Sequence, residues 1–433
     1  MPGRRDVDSA YRRRLDLLLL PAAFFNGYDG QLRALLLPQL QRAFHVGVAA
    51  IGALSVPIAA GQFVAFLVVR RADRVGRRPV LLVSLGAYAA LTAATAAATS
   101  VWSFALLQGL AQVALGSEYA LAVLVVAEET PPARRGRALG RLLLAGPLGA
   151  IFTAVLLGAG LLHAGLGWRA FYLVGAAPAL LLAGARAGLR ETGAFRAAAA
   201  GATTRPRLAD CLARPFGRRV ATLGAVNLLV KVPVTAGAGW WVYYAEHVHH
   251  LSTGLVALDL GTAYALGTLG FATCGRLVDR FGRRPVAVAF ILAGCGLGAA
   301  LFQVSSEAAS VPLLLAAVFF GLGVDPALSA LSAESFPTRL RAQASAVVGN
   351  GFANAGALAG PALVGLLGAK GGAIGSIGGA VSVLMALGLG AAAVLALAVH
   401  ETRGADLRAP DPLAGLPEAA QASTGTGTGP AAV

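Results

Sequence analysis

Two short charged stretches of this 433-residue chain occur twice at one spacing, and continuous apolar runs separate them. The first is Arg70-Arg71-Ala72-Asp73-Arg74-Val75-Gly76-Arg77-Arg78-Pro79. It returns as Gly275-Arg276-Leu277-Val278-Asp279-Arg280-Phe281-Gly282-Arg283-Arg284-Pro285, with Asp73, Gly76, Arg77 and Pro79 matched 206 residues later. The second carries Glu128, Pro131 and Arg135, matched at the same offset by Glu334, Pro337 and Arg341. Asp73 and Glu128 are 55 residues apart, and so are Asp279 and Glu334. Landmarks held in register over that distance mark a duplicated unit. The chain must therefore build one plan twice, with the charged stretches as loops between apolar elements.

The apolar runs decide the medium. Charged residues make up only 13% of the chain, against about 25% in soluble domains. Many runs reach the ~18–20 residues that span a bilayer as a helix. Outer-membrane barrels alternate apolar and polar residues, whereas these runs are continuous. The expectation is an all-α polytopic membrane protein with twelve transmembrane helices in two six-helix pseudo-symmetric halves. The first six spans are read at 16–38, 48–69, 79–100, 102–127, 138–162 and 169–189. The second six are read at 219–245, 253–275, 285–303, 311–333, 342–368 and 374–399. The halves are then 1–190 and 219–404, joined by a polar, Arg-rich loop at 191–218. A Pro/Gly/Thr-rich tail at 405–433 is expected to be disordered.

The net charge of +15 invites a nucleic-acid reading, and the placement of the charge removes it. Of the 35 Lys and Arg, 30 lie in or beside the N-terminal tail, the even-numbered connections and the C-terminal tail. Arg42, Arg169 and Lys370 fall on the other side, and Arg33 and Lys231 lie within spans. Basic residues collect in cytoplasmic loops, so both termini are expected in the cytoplasm and the chain in the cell (inner) membrane. Cys211, Cys274 and Cys295 show neither pairing nor metal spacing. A phosphate-binding Gly-rich loop and a nucleophile–His–acid arrangement are both missing from the pattern. The expectation is a non-enzyme without cofactor or metal, not driven by ATP, working as a monomer.

Ionisable residues inside a span are costly and point to function. Asp29 and Arg33 lie in span 1, Glu118 in span 4, Lys231 in span 7 and Asp325 in span 10. At ~1.5 Å per residue they fall near mid-depth. Arg33 is one turn from Asp29 on the same face, so the two can pair. These are the first and fourth spans of each half, which implies that those four helices share a polar space. Titratable groups at mid-depth between two repeats are the physics of a secondary transporter. The alternative for each group is a structural ion pair or, for Asp325 beside Pro326, a helix-breaking device.

Twelve spans, a six-plus-six duplication and these loops together resemble the major facilitator superfamily, over residues 16–404. The signature between spans 2 and 3 stands here as Asp73-Arg74-Val75-Gly76-Arg77-Arg78, with its copy from Asp279 to Arg284. Val69 departs from the glycine usual four residues ahead of the Asp, whereas Gly275 fits. The resemblance implies a conformational latch made of Asp73, Gly76, Arg77, Glu128 and Arg135, with Asp279, Gly282, Arg283, Glu334 and Arg341 as counterparts. Gly27-Tyr28-Asp29 looks like the first-span signature of sugar porters and organic-acid/proton symporters. Leu107-Gln108-Gly109 and Gly116-Ser117-Glu118-Tyr119 resemble the fourth span of metabolite/proton symporters. Glu334 to Arg341 and His400-Glu401-Thr402-Arg403-Gly404 resemble loops shared by both groups. Sugar porters place a Gln-rich motif ahead of the span 7 tyrosines, a Gln at Leu143 and an Arg at Gln108; this chain has none of these.

Gly146-Pro147-Leu148-Gly149 partly resembles the Gly-Pro motif of drug/proton antiporters. Trp240, Trp241, Tyr243 and Tyr244 read either as an interfacial aromatic belt or as a gate over the cavity. Glu246, His247, His249 and His250 read as a solvated loop, with metal binding or pH sensing as the alternative. The function expected is a proton-coupled symporter of a small organic, anionic metabolite. Efflux by drug/proton antiport and sugar/proton symport are the alternatives. The proton carriers expected are Asp29, Glu118 and Asp325; the substrate contacts are Arg33, Lys231, Gln108, Trp241 and Tyr244. The partners expected are the substrate, protons and the lipid bilayer.

Overall fold

The computed structural model describes residues 4–130, 132–160, 167–189, 191, 212, 216–336, 340, 343–345 and 347–402. Most of the central loop and the tail from 405 lie outside the described residues, as do the side chains of Asp73, Arg135 and Arg341. The first half contains Arg4–Phe44, Val48–Ala53 with Ser55–Val75, Arg77–Thr95, Val101–Glu129, Pro132–Gly158 and Trp168–Ala185. These are spans 1 to 6. The second half contains Phe216–His247, Thr253–Phe281, Arg283–Leu301, Glu307–Gly323 with Asp325–Glu334, Asn354–Gly368, and Ile377–Met385 with Leu387–Ala398. These are spans 7 to 12. Eleven helices among the described residues are long and apolar enough to cross a membrane. Span 1, with its charged first turns and its Asp29 and Arg33, completes the twelve.

Local chemistry sets the helix ends. Ser100 and Ser103 form a reciprocal capping box at the start of span 4, which satisfies backbone donors that a helix leaves unpaired. Ser252 and Ser376 cap spans 8 and 12 with a single side-chain acceptor each, for the N–H groups of Leu255 and Gly379. Gly76 and Gly282 sit between spans 2 and 3 and between spans 8 and 9, at φ of 112° and 101°. Only glycine takes such values at low cost, and this explains the glycine in each copy of the signature.

Glycine also lets helices touch. Gly27 and Gly149 place spans 1 and 5 backbone to backbone: a Cβ on either would collide with the carbonyl of Gly146 or Phe24. The second half repeats the device, with Gly356 and Gly360 of span 11 against the carbonyls of Leu228 and Val232 in span 7. Small residues of this kind drive helix contact where lipid offers no hydrophobic contrast. The outward faces carry large exposed apolar side chains such as Val83, Leu181 and Leu397, which match a hydrocarbon surround.

The halves meet closely at the end opposite the arginine-rich loops. Gly52 of span 2 faces Gly365 of span 11, where a Cβ on Gly52 would lie 2.8 Å from the Gly365 Cα and 3.2 Å from the Trp240 ring. Beside this contact Arg42 reaches across to Glu246 at 3.5 Å. Deeper in, the halves part around a cavity of about 480 Å³. It is walled by spans 1, 2, 4 and 5 from one half and 7, 8, 10 and 11 from the other.

Candidate functional site

Span 1 brings its two charges to the cavity wall in different ways. Asp29 is fully buried, while Arg33 one turn later lines the cavity. Arg33 Nη1 donates to Asp29 Oδ2 at 2.8 Å. Gln112 of span 4 donates to the same oxygen. Gln112 in turn accepts from Gln62 Nε2 at 3.2 Å, and Gln62 lines the cavity. A polar thread thus runs from the cavity through two glutamines to the acid. Neither glutamine was singled out from the sequence; both stand at mid-depth in otherwise apolar spans, which was the available signal.

The second half supplies an ion pair between helices. Lys231 Nζ of span 7 donates to both carboxylate oxygens of Asp325 in span 10, at 2.7 and 2.9 Å. Asp325 lines the cavity. Span 10 is interrupted at Val324, between Gly323 and the Asp325-Pro326 start of its second segment.

Three expected substrate contacts and one proton carrier lie elsewhere. Gln108 is buried inside the first half and donates to Thr95 Oγ1 at 3.1 Å. Trp241 and Tyr244 turn into the second half instead of the central cavity. Trp241 lines a small apolar void of about 70 Å³, and the Tyr244 hydroxyl donates to the Phe302 carbonyl at 2.9 Å. Their neighbour Trp240 instead lines the cavity and donates to the Pro361 carbonyl. Helical phase is the reason: consecutive residues point about 100° apart.

Glu118 is sealed among spans 3, 4 and 6. It accepts from Ser84 Oγ at 3.0 Å and from Arg186, and both charges are fully buried. Arg186 also donates to the Leu18 carbonyl of span 1. This places Glu118 in a packing knot of four helices, away from the cavity. Arg186 was overlooked in the sequence because it lies at the last turn of span 6, among the arginines of the loop.

The repeated loops are held by matching contacts. Arg77 pairs with Glu128 at 3.1 Å, and Arg283 with Glu334 at 2.9 Å. Each loop is clamped by a further glutamate. Glu191 accepts from the backbone N–H groups of Arg77 and Arg78 at 3.0 and 3.2 Å, and Glu401 accepts from those of Arg283 and Arg284, both at 2.9 Å. These carboxylates sit on the first N–H groups of spans 3 and 9, where the helix dipole favours an anion. The Glu-Thr pairs at 191–192 and 401–402 were the signal for this third repeated contact. Asp279 approaches Arg283 only to 3.9 Å and is largely exposed.

The antiporter-like Gly146 and Gly149 are accounted for by the span 1 contact. Near the closed end, the His247 ring stacks on Tyr243 at 4.0 Å, and Glu246 accepts from Thr253 as well as Arg42.

Comparison with known proteins agrees with this geometry. The sequence profile of the Major Facilitator Superfamily matches residues 19–245 and 234–424. A niacin/nicotinamide transporter of Bacillus subtilis, NiaP, is 27% identical over 324 residues, covering 73% of this chain and 78% of that protein. The cis,cis-muconate transport protein of Acinetobacter baylyi is 27% identical over 317 residues, covering 70% and 74%. Among solved structures, a bacterial homolog of the human lysosomal transporter Spinster, inward-facing and occupied, superposes with a TM-score of 0.74 at 17% identity. That match covers 89% of this chain and 96% of the other.

Proposed function

The chain belongs to the major facilitator superfamily, and from that premise we propose that it is a proton-coupled symporter of a small organic carboxylate. The reading has residues 1–190 rock against 219–404 in the cell membrane, with both termini cytoplasmic. The repeated Asp73 and Asp279 loops, with Glu128, Glu334 and their arginine partners, act as latches on the cytoplasmic side. One observation carries the reading. The cavity between the halves is lined by the Arg33 cation from one half and by Asp325, whose carboxylate holds Lys231, from the other, while the acid paired with Arg33 is shut away from it.

The rest of the lining fits a flat, apolar body behind a carboxylate. Leu37, Ile51, Phe104, Trp240, Tyr264 and Phe271 surround the charged groups. Pockets of this size and mixture suit small metabolites. The two named relatives support this reading, since muconate and niacin are carboxylic acids on unsaturated frames, although the NiaP name also carries the neutral nicotinamide.

The coupling follows from one guanidinium serving two anions. A substrate carboxylate that draws Arg33 toward the cavity leaves Asp29 buried without its counter-charge. An unpaired buried carboxylate is costly, and binding a proton removes the cost. Substrate and proton then load together, and release of one frees Arg33 to expel the other. The test is Asp29→Asn in proteoliposomes with cis,cis-muconate. Accumulation driven by an acid-outside gradient should vanish while exchange across the membrane survives. Full accumulation by the variant would remove Asp29 from the coupling.

A further inference from the structure

The central cavity explains one oxygen of Asp29 and leaves the other without a role. Oδ2 holds Arg33 and Gln112; Oδ1 is buried with no hydrogen-bond partner. Buried polar atoms without a partner recur inside the same half, among them the Tyr172 hydroxyl, Gln108 Oε1 and Trp168 Nε1, and the Tyr88 and Thr92 hydroxyls have only each other. A buried polar group left unpaired costs about 1–3 kcal/mol. Their clustering on spans 1, 3, 4 and 6 is too ordered to treat as a set of separate accidents.

Their placement is ordered. Tyr88, Thr92 and Thr95 lie at i, i+4 and i+7 on span 3; Gln108 and Gln112 lie at i and i+4 on span 4; Trp168 and Tyr172 lie at i and i+4 on span 6. Such spacing puts each set on a single helix face, and all of these side chains are buried. Thr95 is the last residue of span 3 and Trp168 the first of span 6, so the stripes begin at the end opposite the arginine-rich loops. They run inward to mid-depth, where Tyr88 and Tyr172 stand within electrostatic reach of Asp29. The Gln108–Thr95 hydrogen bond ties two of the stripes together. Tyr88, Thr92, Gln108 and Tyr172 are absent from the walls of the central cavity.

We propose that these stripes form a hydrated proton path inside the N-terminal bundle, between spans 1, 3, 4 and 6, which feeds Asp29 from the outer side independently of the substrate cavity. Buried water bridges polar groups that lack protein partners. A hydroxyl both donates and accepts, so Thr92, Tyr88 and Tyr172 each take one proton and pass on another. Only Asp29 changes charge, from carboxylate to carboxylic acid as a proton arrives at Oδ1. The other groups facing it are Arg33 and Tyr28 on its own helix and Gln112 from span 4; Arg33 alone is a cation. The path rests on the symport reading above and adds a route to it. With the gate at Gly52 and Gly365 shut, the proton enters through the bundle while substrate uses the cavity.

Packing alone would not need these hydroxyls. Phe104, Trp168 and Tyr172 stack edge to face at 5.7–5.9 Å, and a phenylalanine ring would serve as well as tyrosine. That makes the test clean. Radiolytic hydroxyl-radical footprinting of the full chain should modify Tyr88 and Tyr172 despite their burial, because water beside them is the source of the radical. The variants Tyr88→Phe, Tyr172→Phe and Thr92→Val should keep their melting temperature and their muconate exchange. They should lose at least about tenfold in acid-driven muconate uptake, equivalent to ~1.4 kcal/mol of added barrier. Rings that stay unmodified, or variants that accumulate at the wild-type rate, would overturn the path. Normal accumulation by Asp29→Asn would instead overturn the coupling reading, with footprinting of the two rings unaffected.

Discussion

In the N-terminal half, acid and cation share one helix, Asp29 and Arg33 a turn apart; in the C-terminal half they sit on two helices, Lys231 on span 7 and Asp325 on span 10. Exposure separates the pairs further. Asp29 is 0% exposed and Arg33 25%, whereas Lys231 and Asp325 are 22% and 31% exposed. The first pair hides its acid and presents its cation. The second presents both, so an incoming anion meets Asp325 already seated on Lys231. On the symport proposal, the first pair would store a proton away from substrate. In the second, a carboxylate of the protein would hold the substrate's place while the carrier is empty.

The largest effect should come from Arg33→Ala. The variant leaves Asp29 buried and uncompensated, and breaking a buried pair from one side costs about 3–5 kcal/mol. Asp29 escapes that cost by keeping a proton, so the protein should remain folded. Acid-driven uptake in proteoliposomes should fall by at least about a hundredfold, because the proton is no longer released. A stable Arg33→Ala protein that accumulates muconate normally would break the distinction between the pairs.

A middle effect, of opposite sign for its two partners, is expected in the second half. Lys231→Ala should weaken carboxylate binding by about 10–100-fold, the loss of one charge-assisted contact. Asp325→Asn should tighten it a few-fold, since the ammonium no longer has an internal competitor. Calorimetry with cis,cis-muconate and nicotinate reads both. Weaker binding by Asp325→Asn would show that Asp325 positions Lys231 for the substrate, and the idea of a place-holder would fail.

The class of fold and the two-half plan were legible in the sequence, because hydropathy and an exact 206-residue offset are one-dimensional signals. The Asp29–Arg33 contact was legible for the same reason: four residues on a helix fix a distance. The Lys231–Asp325 pair was visible only as two buried charges, since nothing in the spacing of 231 and 325 says that spans 7 and 10 touch. Glu118 misled. Mid-span burial marks an acid as costly, but the identity of its partner decides its role, and Arg186 was camouflaged by the basic loop beside it. Trp241 and Gln108 show the remaining gap. Depth can be counted along a helix, whereas the face that a residue presents depends on helix rotation, which packing fixes.

The smallest effect concerns the repeated loops, where the duplication promises equal roles for equal letters. Asp279 is part of the signature, yet it is 80% exposed and 3.9 Å from Arg283. Glu334 instead takes bonds from both the Nε and Nη2 groups of Arg283. Exposed ion pairs contribute about 0.2–1 kcal/mol, so Asp279→Asn should change the uptake rate by no more than a few-fold. Glu334→Gln removes the partner of a half-buried guanidinium and should change it more. Uptake rates of the two variants, measured side by side under one pH gradient, decide the matter. Equal rates would mean that the signature acid works in another conformation of the loop, where the Arg283–Glu334 clamp has opened.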